Sequence, residues 1–182
     1  MARIAFVLGN DFEDAEFETP HTTLLKHGVL VDVIGVDTDD VNGKHGTVVS
    51  IDKAVDDASA DDYDALVIPG GFSPDHLRTN GRIVDFVQAF AAQDKVIAAV
   101  CHAPSLLIEA GLVEGRTLTS WPSIRADLRN AGAEVVDREV VVDGKLITSR
   151  NPDDLPAFTD TLLAAIGELD PGEVAADNSF TA

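Results

Sequence analysis

The chain has one cysteine, five lysines and only ten aromatic residues among its 182 positions, and each shortage narrows what it can be. A single thiol closes no intrachain disulfide, which points to a reducing, cytoplasmic setting where a free cysteine survives. With 13 basic residues against 32 acidic ones the net charge is −19, so no basic patch is available to neutralise phosphates, and nucleic acid is excluded as a partner. No apolar run reaches membrane-spanning length, and the N-terminus enters a strand pattern directly, so neither a membrane nor a signal peptide is expected. No Gly-x-Gly-x-x-Gly follows a strand, and the lone cysteine lacks histidines at zinc spacing; no cofactor and no metal is expected. All five histidines lie at or before position 102, which rules out a Ser-Asp-His order with its histidine late in the chain.

What remains is an acidic, moderately apolar chain of single-domain size, with one domain expected over 1–168 and an acidic flexible tail over 169–182. The acids are scattered through loops, as in Asp37-Thr38-Asp39-Asp40, Asp56-Asp57 and Asp61-Asp62, rather than gathered in a block. Such a surface repels itself in dilute buffer, and at about 1 M salt the screening length of about 3 Å removes most of that penalty. The composition therefore reads as that of a cytoplasmic protein from a high-salt organism.

Apolar runs at Arg3–Leu8, Val29–Val36, Tyr63–Ile68 and Lys95–Val100 alternate with helical patterns near Glu13–His27, Gly81–Gln93, Ser123–Ala131 and Asp153–Ile166. A hairpin is expected at Asp143-Gly144. This alternation predicts a mostly parallel sheet with helices on both faces, and in such sheets the site lies beyond the carboxyl ends of the strands. Three of those ends hold chemistry: Asn10 to Glu13, Gly70-Gly71, and Cys101-His102.

Cys101 closes an apolar run, and Pro104 opens the helix that follows. A cysteine on that sharp turn resembles a nucleophile elbow with sulfur in place of the serine oxygen, and the adjacent helix start favours thiolate. Gly70 and Gly71 leave backbone N–H groups open for an oxyanion hole, formed by both or by one of them joined by the N–H of His102. Glu13 is the carboxyl expected to face Cys101 and shuttle a proton; His102 is a candidate base, and Asp75 a candidate to orient it.

The segments Asn10-Asp11-Phe12-Glu13-Asp14-Ala15-Glu16, Gly43-Lys44-His45-Gly46, Pro69-Gly70-Gly71, Ala99-Val100-Cys101-His102-Ala103-Pro104 and Val140-Val141-Val142-Asp143-Gly144 occur in this order. Together they resemble the PfpI intracellular-protease family of the ThiJ/PfpI superfamily, which also holds the parkinsonism-linked protein deglycase. The resemblance implies a flavodoxin-like three-layer sandwich, with Glu13 beside the sulfur of Cys101 and His102 as the triad histidine. It places Asp75 where the protease-like branch carries a glutamate donated by a neighbouring subunit, and Trp121 where the family often has tyrosine, on the substrate wall. It also implies a homo-oligomer, a dimer or a hexamer. Three activities follow: chemistry on reactive carbonyls (glyoxalase without glutathione, or deglycase), peptide hydrolysis through Cys101, His102 and Asp75, and redox sensing or holdase action as a stress protein.

Overall fold

The computed structural model describes residues 1–174 of the chain. Its elements run β1 (Arg3–Val7), α1 (Asp14–Lys26), β2 (Leu30–Gly35), β3 (Val41–Asn42), β4 (Val48–Val49), β5 (Lys53–Ala54), β6 (Ala65–Ile68), α2 (Ser73–Leu77), α3 (Gly81–Ala92) and β7 (Val96–Val100). They continue with α4 (Pro104–Glu109), β8 (Thr117–Leu118), α5 (Arg125–Asn130), β9 (Glu134–Val135), β10 (Val140–Asp143), β11 (Leu146–Ser149) and α6 (Leu155–Ala165).

Seven strands form one sheet in the order β10-β11-β7-β6-β1-β2-β5, parallel throughout except for the β10–β11 hairpin at one edge. Taken in chain order, the five long parallel strands follow the 2-1-3-4-5 arrangement of flavodoxin-like folds. The central strands are apolar on both faces, as Ala65-Leu66-Val67-Ile68 and Val96-Ile97-Ala98-Ala99-Val100 require when helices cover both sides. One core packs β1 and β7 residues such as Phe6 and Val100 against Phe17 and Leu24 of α1 and Phe158 and Leu162 of α6. The other packs Leu66, Ile68 and Ala99 against Phe86 and Phe90 of α3 and Leu106 and Leu107 of α4.

Local chemistry accounts for the elements. Asn80 caps α3 by accepting the N–H groups of Arg82 and Ile83, and Ile83, Phe86, Val87 and Phe90 recur on its buried face. The short α2 is absent from the sequence pattern because five residues hold too few turns to show a period. The expected tail starts inside the fold: Leu169 packs on the core, the Glu168 carboxylate accepts the Ala2 N–H, and a 3-10 turn spans Pro171–Glu173. The rest of that segment, 175–182, lies outside the described residues.

Candidate active site

β7 ends at Val100, and Cys101 turns the chain with φ of +65°, a left-handed backbone that costs an L-residue about 1 kcal/mol or more. Two backbone hydrogen bonds hold the turn: the Cys101 N–H donates to Ser149 O at 3.0 Å, and the Trp121 N–H donates to Cys101 O at 3.0 Å. The proline at the start of α4 then ends the turn in a helix whose first position needs no N–H donor. This is the elbow the sequence predicts, with Cys101 buried and only 6% exposed.

The carboxyl against that sulfur belongs to Glu16, not to Glu13. Glu16 is fully buried on α1, and its Oε2 accepts the Gly70 N–H at 2.7 Å. Its Oε1 meets no partner at ordinary hydrogen-bond geometry, and the carboxyl couples to the Cys101 thiol by charge and by a loose hydrogen bond. Gly70 is the spacer that allows this approach, since a Cβ there would stand 2.6 Å from Glu16 Oε2 and 2.9 Å from Cys101 Cβ. Glu13 instead sits at the rim, where it pairs with Lys44 Nζ at 3.2 Å and His45 Nε2 at 3.4 Å. Its position at the N-cap of α1 turns it out, whereas Glu16 shares the stripe of Pro20 and Leu24 at four-residue spacing. That stripe is the sequence signal for Glu16: a charged residue in register with the buried positions of an amphipathic helix.

Burial pushes the Glu16 carboxyl up to about 8, against the N–H of Gly70 and the thiol, which favour its anion. Burial also pushes the Cys101 thiol up, and an ionised Glu16 adds to this, while the N–H groups of His102 and Gly71 favour the thiolate. The expected ready thiolate is therefore corrected: the six-residue α4 and two N–H groups do not outweigh burial beside an anion. The two groups titrate as a pair. A protonated Glu16 removes the repulsion and donates to the sulfur, so the carboxyl proton and the thiolate go together.

Of the two expected oxyanion-hole arrangements, the structure presents the one that joins a single glycine to His102. The Gly70 N–H is committed to Glu16, and the donors that face the sulfur are Gly71 and His102. Gly71 has φ of +73°, and a Cβ on it would strike Asp11 O and Glu13 N at 2.5 Å, so the position needs glycine twice over.

The His102 ring is half-buried between the rings of Phe72, 6.5 Å away, and Trp121, 6.1 Å away. Burial and the charge of Lys44 hold its pKa below the usual value, so it is neutral. Among the described residues no hydrogen bond or ion pair reaches this ring. Asp75 is exposed on α2 and shares with His102, Gly71, Phe72 and Ser105 a cavity of about 280 Å³, without bonding to the ring. Within one chain, the Cys101, His102, Asp75 relay is not assembled. Trp121 is 39% exposed at the mouth, and Phe72 at 61% joins it in an aromatic wall that the sequence reading missed.

Among the described residues one group of possible ligand atoms stands within 4.8 Å: Glu13, Asp14 and His45. Its carboxylates are already engaged, Glu13 by Lys44 and Asp14 by the N–H groups of His45 and Thr47 at 2.9 and 3.0 Å. Those bonds offset burial and hold Asp14 below the usual carboxylate range, pinning the 43–47 loop over the site.

Comparison with known proteins places the chain in a family and a fold. The model of the DJ-1/PfpI family matches residues 2–165. The chain belongs to the DJ-1/PfpI family. It is 47% identical over 167 residues to General stress protein 18 of Bacillus subtilis, covering 90% of this chain and 97% of that one. An uncharacterized protein of Staphylococcus aureus is 49% identical over 160 residues, 86% of this chain and 93% of its own. Among solved structures, DJ-1beta of Drosophila melanogaster superposes with a TM-score of 0.86 at 28% identity, over 92% of this chain and 91% of that one. A two-domain protein of Anabaena variabilis with DJ-1/ThiJ/PfpI-like and ferritin-like domains superposes at 0.89 with 41% identity. It matches 91% of this chain, which spans 50% of that longer protein. In this DJ-1/PfpI chain no described helix is long and apolar enough to cross a membrane.

Proposed function

We propose that the protein is a cysteine-dependent enzyme acting on reactive carbonyls, a glyoxalase that needs no glutathione or a protein deglycase. The observation that carries this reading is the fully buried Glu16 carboxyl set against Cys101 on a strained turn. With methylglyoxal, the Cys101 sulfur adds to the aldehyde carbon and the carbonyl oxygen takes a proton, giving a hemithioacetal. Glu16, as carboxylate, removes the hydrogen from that carbon and returns it to the neighbouring carbon through an enediol. The product is a thioester of lactate, with one carbon oxidised and its neighbour reduced, so no external oxidant is needed. Water then cleaves the thioester to lactate and the free thiol. A carboxyl poised near 8 suits both protonation states of this cycle. The N–H groups of Gly71 and His102 support the oxygen that gains charge.

Peptide hydrolysis needs His102 oriented and protonated, and among the described residues its neutral ring has no bonded partner. It would depend on Asp75 of a second copy, in the homo-oligomer that belongs to this proposal. Redox sensing draws support from the likeness to a general stress protein and from a carboxyl placed to bond an oxidised sulfur. Lactate formation from methylglyoxal by the wild type, lost in Cys101→Ser, is the outcome expected. Absence of turnover, with peroxide adding oxygen mass at Cys101, would replace the carbonyl reading by the redox one.

The acid surplus is a separate ground for proposing a high-salt cytoplasm, with Asp37, Asp39, Asp40, Asp56, Asp57, Asp61 and Asp62 all exposed. Loss of structure or assembly below a few tenths molar KCl is expected, from the screening argument. A full circular-dichroism spectrum and an unchanged elution volume in dilute buffer would overturn it.

A further inference from the structure

The N-terminal end of β7, five residues or roughly 17 Å before the elbow, opens on a second cavity of about 280 Å³. Its floor is apolar, made by Ile97 of β7, Leu107 of α4 and Leu112. Its rim carries Lys95, Arg116 and Lys145 against Asp94 and Asp143. Cations in excess are anomalous in a chain where acids outnumber bases 32 to 13. Other cavities of the molecule follow the chain's bias: the one at the carboxyl ends of β1 and β2 has four aspartates and no lysine or arginine. The one beside His102 has Asp75 and Asp127 against Arg78.

The rim cations are only partly engaged. Asp143 is already shared, accepting the Thr117 N–H at 2.8 Å and pairing with Arg116 Nε at 3.3 Å. Arg116 also donates from Nη2 to the Asp143 carbonyl, which leaves its Nη1 without a hydrogen bond among the described residues. Lys95 donates to Ala60 O at 2.7 Å, which leaves two of its three N–H bonds. The Lys145 ammonium is exposed at the hairpin turn and, among the described residues, has no partner.

We propose that this cavity is a binding site for a small carboxylate with an apolar body, the chain carbons on Ile97, Leu107 and Leu112 and the carboxylate between Lys145 and Arg116. A volume near the lower bound for ligand pockets limits the occupant to a short branched or aromatic acid. The site stands apart from Cys101 and does not depend on the activity proposed for it.

Titration of the full chain with 4-methylpentanoate, followed by amide NMR shifts, tests this. Saturable binding is expected, with the largest shifts at Leu112 and Gly144 to Leu146. Lys145→Glu, at an exposed position that folding does not need, and the neutral probe 4-methylpentanamide should each bind about tenfold more weakly, the loss of one charge-assisted contact. Cys101→Ser should bind as the wild type does. Equal binding of acid and amide, an unchanged affinity in Lys145→Glu, shifts centred elsewhere, or no saturable binding would each overturn the proposal.

Discussion

Cys101 has two flanks, and they differ in kind. On one, Glu16, Gly70 and the cores of α1 and β7 enclose the sulfur completely, and polar atoms there are few, buried and individually placed. On the other, Phe72, His102 and Trp121 form a wall open to solvent, with Asp75 beyond it and no side-chain hydrogen bond among them. The difference teaches that proton chemistry belongs to the closed flank, where burial tunes a carboxyl, and that the open flank shapes what approaches.

The comparison breaks most visibly at Gly70. Alanine there puts a methyl 2.6 Å from Glu16 Oε2, 2.9 Å from Cys101 Cβ and 2.9 Å from the backbone oxygen of Val100, so the pair must shift. Carbonyl turnover should fall about a hundredfold with misplacement of the pair, and overpacking should cost about 1–3 kcal/mol in urea denaturation. Unimpaired turnover would mean that the close approach is not what makes the pair work.

Next comes the pH dependence of stability. Folding raises the Glu16 pKa from 4.5 to about 8, so the folded state keeps a proton that the unfolded state has lost. Between those values stability falls as pH rises, by a few kcal/mol at most for this one group. Glu16→Gln lacks that slope, so its advantage over wild type should grow from pH 5 to about pH 8 in paired denaturation curves. Parallel curves would show that Glu16 ionises as freely in the fold as in water.

The smallest effect is assigned to the open flank. His102→Ala keeps the backbone N–H that faces the sulfur and removes only the ring, so methylglyoxal turnover should change by less than about tenfold. A loss of about a hundredfold or more would give the ring a proton-transfer role and revive the peptidase reading.

The mostly parallel sheet and the elbow were legible in the sequence because strand-helix alternation and an apolar run ending in Cys101-His102-Ala103-Pro104 are local signals, whereas the strand order is set by tertiary packing. The partner of the cysteine was legible only in part. Glu13 and Glu16 sit in one motif and differ by less than a turn of helix, so the choice between them turns on which faces the core. Reading Glu16 in step with Pro20 and Leu24 would have found it; Glu13, the first glutamate after the strand, sits at the N-cap instead. The burial that raises the thiol, and the stacking of Phe72 on His102, arise from tertiary approach and leave no pattern in the residues around them.

The most direct test of the account is lactate formation from methylglyoxal by Glu16→Gln and Glu13→Gln side by side with wild type. Glutamine at position 16 keeps the acceptor for the Gly70 N–H but cannot carry a proton, and turnover should drop by about a hundred- to ten-thousandfold. Glu13→Gln, which disturbs only the rim contacts to Lys44 and His45, should stay within about tenfold. The reverse order, with Glu13→Gln inactive and Glu16→Gln near wild type, would contradict the assignment of the buried carboxyl to the chemistry.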